Sequence, residues 1–350
     1  MELRLGFIGF GNVARAFARI LASRSSELAR DFDLIVRTTA IATGSHGCIV
    51  SAEGLDLDLA VTTAESGGRL TALPGAIDAD ETTRVVAMCE ADVLIETTPL
   101  NPIDGEPATE WIRKALLRRM SVVTANKGPI AFAYDELSAL AREHGVSFRF
   151  EGTVMDGAPI FNLAEKCLPG VRIIALAGVL NSTTNYILTG MERGRSFEEC
   201  IAEAKRMGVA EANADYDVDG WDAAVKIAAL ANVLMDANTN PRNVERRGIR
   251  YITSKDLEVA SAAGAIVRLV ARAEPLPSGL RLTVGPETVP ISSPLGARGT
   301  TNALILRTDL MGEIAVIEAD PGVEQTAYAL LSDLINIHRD RKARGIIRRA

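Results

Sequence analysis

Two rhythms of apolar and polar positions run along this chain. Residues 3–8 are a short apolar run, and residues 12–23 carry apolar side chains at helical spacing, so the pattern predicts a strand, a glycine turn and an amphipathic helix. The alternation continues with strands over 33–43, 93–97, 121–124 and 146–150, and helices over 81–89, 107–119 and 134–143. Repeated β/α units of this length imply a doubly wound parallel sheet, a Rossmann-type α/β domain over residues 1–150. Residues 44–80 are rich in glycine and carry no pattern that orders them.

Beyond residue 150 the rhythm changes. A loop at 151–159 and a strand at 171–180 precede a polar turn, Asn181-Ser182-Thr183-Thr184-Asn185, and a short helix at 186–192. The next helix, 196–207, opens on Ser196 with Glu199 at the capping-box position. Residues 208–230 pass from an acidic loop into an alanine-rich helix. Residues 241–251, with four arginines and Glu245, read as a solvated face. Strands at 265–273, 279–284, 304–308 and 314–317 suggest a second, mixed sheet, so residues 151–320 form an α+β domain. A helix at 324–337 closes the pattern, and the basic tail 339–350 is expected to fray.

Composition narrows the function. A chain of 350 residues is long for one core and fits two domains. The net charge of −7 argues against nucleic acid and anionic membrane surfaces as partners. No apolar run approaches the roughly 20 residues that cross a bilayer. Glu2 and Arg4 frame the first strand, which leaves no signal peptide. Cys48, Cys89, Cys167 and Cys200 are widely spaced and fit reduced thiols in a cytoplasmic protein. With only His46, His144 and His338, a His-centred metal site or a Ser-His-Asp triad is not expected.

Candidate chemistry begins at the first turn. Gly9-Phe10-Gly11-Asn12-Val13-Ala14 is a GxGxxA fingerprint between a strand and a helix, the context that binds a dinucleotide pyrophosphate. Counting about 20 residues onward lands on Asp31 or Asp33, but both precede the second strand. That strand ends at Thr43-Gly44-Ser45-His46, with neither a carboxylate for a ribose nor an Arg for a 2′-phosphate, which leans towards NADP(H) over NAD(H). Thr97, Thr98 and Lys127 also fall at carboxyl ends of strands, where such sheets bind ligands.

In the second half, Asp222 and Lys226 stand four residues apart on one helix face, after Glu211, Asp215, Asp217 and Asp219. One reading is an exposed ion pair. The other is a site for an amine-bearing small molecule, favoured because a Lys on a buried helix needs a reason. The 151–159 loop offers a carboxylate and close carbonyls suited to a hard cation, or is simply a Gly/Pro turn before a helix. The hydroxyls and amides of the 181–185 turn can hold a carboxamide or a carboxylate, or simply cap its helix.

Together the GFGNVA loop, Thr97-Thr98-Pro99, TANKGP (124–129), EGTVMDGAP (151–159), NSTTNYIL (181–188) and GVAEANADYDVDGWDAAVK (208–226) resemble the homoserine dehydrogenase family, as do 300–327. The resemblance implies NAD(P)-dependent interconversion of L-aspartate 4-semialdehyde and L-homoserine, in threonine and methionine biosynthesis. It implies catalytic roles for Lys226, Asp222 and Lys127, and substrate binding by Glu211, Asp217 and Thr183. Cofactor contacts are implied at Gly9, Phe10, Gly11, Asn12, Val13, Thr97, Thr98, Lys127 and Gly322, and a sodium ion at Glu151, Val154, Asp156 and Ala158. It further implies a homodimer, and a last helix, about 323–340, packed on the first domain. The chain departs from the family pattern at Ser182, where Gly is usual, at Gly152, where Ala or Ser is common, and at Asp320-Pro321-Gly322. It is too short to add the regulatory ACT domain of many bacterial members. Two other readings stay open: a related oxidoreductase for another small semialdehyde or amino acid, and a non-catalytic nucleotide sensor.

Overall fold

The computed structural model describes residues 2–210, 213–277, 279–319 and 321–345. The chain divides into two compact units, one of residues 1–129, 133–157 and 322–350, the other of 130–132 and 158–321.

In the first unit, β1 (Glu2–Ile8) runs through the glycine turn into α1 (Asn12–Ser23), and α2 (Ser25–Phe32) leads to β2 (Ile35–Thr43). The stretch that no sequence pattern ordered forms β3 (Gly47–Leu55), α3 (Leu57–Glu65) and the short β4 (Ile77–Asp78). Then come α4 (Thr82–Met88), β5 (Val93–Glu96), α5 (Ala108–Leu117), β6 (Ser121–Thr124), α6 (Lys127–His144) and β7 (Phe148–Arg149). The sheet order is β4-β3-β2-β1-β5-β6-β7. The five strands from β2 to β7 in that order pair in parallel. β3 and β4 add an antiparallel edge that the expected all-parallel sheet lacked. β1, β5 and β6 are buried almost throughout, which is why they read as continuous apolar runs. Asp33 ends α2 in a left-handed conformation (φ 56°), so β2 starts two residues later than the pattern suggested.

The second unit opens with α7 (Ile160–Asn162), β8 (Ile173–Val179), α8 (Ser182–Met191) and α9 (Phe197–Arg206). The capping box of Ser196 and Glu199 is formed. α10 (Asp215–Val218), α11 (Trp221–Met235), β9 (Glu245–Arg246) and α12 (Ser254–Ala262) follow. The hairpin of β10 (Ala265–Leu276) and β11 (Gly279–Pro290) pairs from Ala265↔Pro290 to Leu276↔Gly279, longer than the sequence pattern indicated. β12 (Asn302–Thr308) and β13 (Glu313–Glu318) complete a mixed sheet of order β13-β12-β8-β10-β11-β9. Helix α11 lies against β8, β10 and β11, which buries it from Asp222 to Asn232 save for the half-buried Lys226.

The last helix, α13 (Val323–Ala343), belongs to the first unit. Its Leu330, Leu334 and Ile337 join Leu3, Leu5, Phe7 and Phe17 in one core. The helix continues through the basic stretch expected to fray, because those side chains find carboxylates. Arg341 reaches Asp92 at 3.2 Å and Lys342 reaches Asp33 at 3.3 Å. Residues 346–350 of that stretch lie outside the described residues. Among the described residues no helix is long and apolar enough to cross a membrane.

Candidate active site

The nucleotide unit presents its candidate residues at the carboxyl ends of β1, β5 and β6. Gly9 has φ +84°, and a Cβ there would stand 2.8 Å from the Thr97 carbonyl group, so this turn requires glycine. The turn is knitted to the end of β5: Thr97 N–H donates to Ile8 O (2.8 Å) and Thr97 Oγ1 to Gly9 O (3.1 Å). A Cβ on Gly11 would meet nothing within 4 Å, and Gly11 caps α1 without a side-chain partner. An open, glycine-lined helix N-terminus of this kind fits a pyrophosphate. Phe10 points its ring into the core beside Phe7, so only its backbone faces the turn. Asn12 accepts from Arg15 Nη2 at 2.8 Å, and Val13 is half-buried.

Lys127 follows the end of β6 and is the first residue of α6, capped by Asn126 through Gly128 N–H (3.0 Å). A cation at a helix N-terminus opposes the helix dipole, at a cost of about 0.3–1 kcal/mol, so its placement there needs another reason. Gly322 is the extended residue that caps α13.

The end of β2 corrects one expectation. No arginine is near it in sequence, yet Arg69 Nη2 lies 3.6 Å from where a Cβ on Gly47 would stand. Leu70 N–H donates to His46 O (2.8 Å) and His46 Nδ1 pairs with Gly68 O (2.9 Å), which pins the 68–70 segment against the β2–β3 turn. Nothing local in sequence signals this approach across more than 20 residues. Asp33, by contrast, is paired with Lys342, away from that turn.

The 151–157 loop packs on α13. Glu151 N–H donates to Asp333 Oδ2 (2.8 Å), and Thr326 Oγ1 to Asp156 Oδ1 (3.1 Å). A Cβ on Gly152 would stand 3.3 Å from Thr326 Cγ2, and one on Gly157 only 2.5 Å from Gln325 O, so close approach accounts for glycine here. Glu151 and Val154 are buried. Glu151, Val154 and Asp156 belong to the first unit and Ala158 to the second. Among the described residues no three His, Cys, Asp or Glu side chains cluster as a metal site.

In the second unit, α11 and the N-terminus of α8 build a compact charged group. Lys226 Nζ pairs with Asp222 Oδ2 at 3.2 Å and donates to Leu180 O at 2.7 Å. Their side chains are 14% and 8% exposed, which rules out the exposed ion pair. Asn181 Nδ2 donates both to Asp222 Oδ2 (2.9 Å) and to Asp217 Oδ1 (2.7 Å). Asn181 Oδ1 caps α8 by accepting from Thr184 N–H (2.8 Å), so the polar 181–185 run is a helix cap and first turn. Thr183 donates its hydroxyl to Val209 O at 2.9 Å. Burial, then the charge of Asp222, pushes the Asp217 carboxyl above the usual range, opposed by the Asn181 bond.

The acidic loop does not act as one cluster. Asp215 and Asp219 are both neutralised by Arg250, with Nε 2.6 Å from Asp219 Oδ1, so they are not free to bind an amine. Arg246 stacks 3.8 Å over Trp221 and is half-buried, whereas Arg242, Glu245, Arg247 and Arg250 are exposed, as the solvated face expected at 241–251 requires. Glu211 lies outside the described residues. Sequence reasoning passed over Tyr216. Its hydroxyl is buried without a hydrogen-bond partner among the described residues, and burial with the Asp222 and Asp217 charges raises its pKa.

The chain matches two family models, "Homoserine dehydrogenase, NAD binding domain" over residues 9–151 and "Homoserine dehydrogenase" over 159–335. It is 38% identical to a homoserine dehydrogenase of Methanocaldococcus jannaschii, covering 96% of this chain and 98% of that one. It is 37% identical to an NAD(+)-dependent homoserine dehydrogenase of Pseudomonas canavaninivorans, covering 97% of each. Among solved structures, a hyperthermophilic archaeal homoserine dehydrogenase in complex with NADPH is similar at TM-score 0.82 and 31% identity, over 96% of this chain and 98% of that one.

Proposed function

Because the chain belongs to the homoserine dehydrogenase family, NAD(P)-dependent oxidoreductases that interconvert L-aspartate 4-semialdehyde and L-homoserine, we propose how its own residues share that work. The observation that carries the proposal is the half-buried Lys226, directed by Leu180 O and Asp222.

On the nucleotide unit, the backbone at Gly9–Val13 and the N-terminus of α1 hold the pyrophosphate, with Thr97, Thr98, Lys127 and Gly322 as further cofactor contacts. The bound nicotinamide supplies or accepts the hydride. NADP(H) is preferred, because the β2 turn has no carboxylate and Arg69 stands beside it to meet a 2′-phosphate. One buried carboxylate, Glu151, with the carbonyls of Val154 and Asp156 on the same unit, suits a singly charged sodium ion.

On the second unit, as the aldehyde is reduced its oxygen gains negative charge, and Lys226 stabilises that charge and delivers the proton. Asp222 favours the ammonium form and fixes its direction. Asp217 and Glu211 take the substrate's ammonium group, a charge that draws Asp217 back to its ionised form. Thr183, at the first turn of α8, completes the substrate contacts. The second sheet forms a symmetric homodimer.

Lys226→Met tests this. Loss of a donor that acts mainly in the transition state typically lowers kcat on the order of 10²–10³-fold, about 3–4 kcal/mol. KM for the aldehyde changes less and cofactor affinity least. Lys226→Arg also fails largely, since a guanidinium does not readily give up a proton. A well-folded Lys226→Met enzyme with near-normal kcat would overturn the assignment.

A further inference from the structure

Glu96 is the last residue of β5 and is fully buried. No basic side chain pairs with it among the described ion pairs; its contacts are hydroxyls and amides. Oε1 accepts from Thr98 N–H (2.8 Å) and from the Thr98 hydroxyl, and Oε2 accepts from the Thr124 hydroxyl at 2.6 Å. Thr124 is itself the last residue of β6 and fully buried. One carboxylate therefore ties together the ends of two neighbouring strands.

The bonds continue outward with a fixed polarity. Asn126 N–H donates to Thr124 Oγ1 (2.9 Å), which in turn donates to Glu96. Asn126 Nδ2 approaches Thr98 Oγ1 at 3.5 Å, and that hydroxyl also donates to Glu96. Asn126 Oδ1 then receives Gly128 N–H and starts α6 at Lys127. Two hydroxyls each accept from the outside and donate inward, so both chains need an acceptor-only group at the centre. An ionised carboxylate is that group. A neutral amide of the same shape is not, since its NH₂ would face a hydroxyl that already donates. Burial acts against the charge and raises the Glu96 pKa, the hydroxyl and amide bonds lowering it in part. A carboxylate kept in such a place for packing alone would be costly.

We propose that Glu96 is a positioning residue: by accepting from Thr98 and Thr124 it fixes the spacing of the β5 and β6 ends, and with it the placement of Thr97, Thr98 and Lys127. This rests on the reading of those three residues as cofactor contacts. Glu96 itself is wholly enclosed by the chain and acts through the residues it holds.

Glu96→Gln keeps the shape and removes the acceptor. The equilibrium Kd for NADPH, read by fluorescence titration of the folded variant, is expected to rise about tenfold, with Tm shifted by no more than a few degrees. A folded Glu96→Gln that binds NADPH as the parent does would overturn the proposal and leave Glu96 as packing. If Glu96→Gln does not fold, Thr124→Val, which breaks the same bridge from its other end, decides in the same titration. It should weaken NADPH binding, and normal affinity would count against the bridge. Lys127→Met is titrated alongside. If it weakens binding and Glu96→Gln does not, the positioning role fails alone. If neither changes Kd, the cofactor assignment of these strand ends has failed with it.

Discussion

At the scale of single residues, Asn181 holds more of the site than its polar neighbours in sequence suggest. Its NH₂ group bridges Asp217 and Asp222 while its oxygen caps α8. Asn181→Asp is nearly the same size and still caps a helix well, but it converts two donated bonds into carboxylate–carboxylate contacts. Leaving buried acceptors without donors costs about 1–3 kcal/mol, so Asn181→Asp is expected to lower the urea midpoint and raise the substrate KM. The pH dependence has a definite sign. Asp217 has a raised carboxyl pKa, so it binds the substrate ammonium better as pH rises through that value and it ionises. Its contribution to folding runs the other way, present below its unfolded pKa and lost as pH rises through the folded one. The rise of kcat/KM with pH should move to higher pH in Asn181→Asp, because a third carboxylate raises Asp217 further. An unshifted profile would show that Asn181 does not set the Asp217 charge.

At the scale of elements, the β2–β3 hairpin and the segment after α3 form a unit that local sequence did not disclose. His46 is bonded on both sides to residues 68 and 70, and this brings Arg69 to the turn. Arg69→Ala should therefore raise KM for NADPH while leaving KM for NADH nearly unchanged, in a steady-state comparison of the two cofactors. A Ser45→Asp change in the same turn should push preference further towards NADH by repelling a 2′-phosphate. Equal effects of Arg69→Ala on both cofactors, or better kcat/KM with NADH in the parent enzyme, would remove the basis for an NADP(H) preference.

At the scale of the whole molecule, the proposed dimer is located by what the second sheet leaves exposed. β10 and β12 are largely buried within the chain itself. The edge strand β13 instead leaves Ile317 56% exposed, with Ala315 also exposed. That edge lies beside the small core of Ala177, Val179, Ala303 and Val270. An isologous contact there would cover it. Light scattering at micromolar concentration should give twice the mass of the 37.3 kDa chain, and Ile317→Lys should shift that mass towards the monomer. A fully active monomer in the parent would contradict the assembly.

The periodic sequence determined what periodicity can carry. The β/α alternation and the GFGNVA turn specified the nucleotide fold, because strands buried on both faces must be apolar and only glycine fits the Gly9 turn. The Asp222–Lys226 spacing put both groups on one face of α11, since four residues make about one helical turn. Other features depended on contacts between distant segments and left no local signal. Arg250 took Asp215 and Asp219 out of the acidic loop, and Arg69 arrived at the end of β2. The basic stretch at the end of α13 became helix because Asp92 and Asp33 stand within reach. Side-chain charge is written in the sequence; which charges meet, and which are buried, is decided only when the chain brings remote residues together.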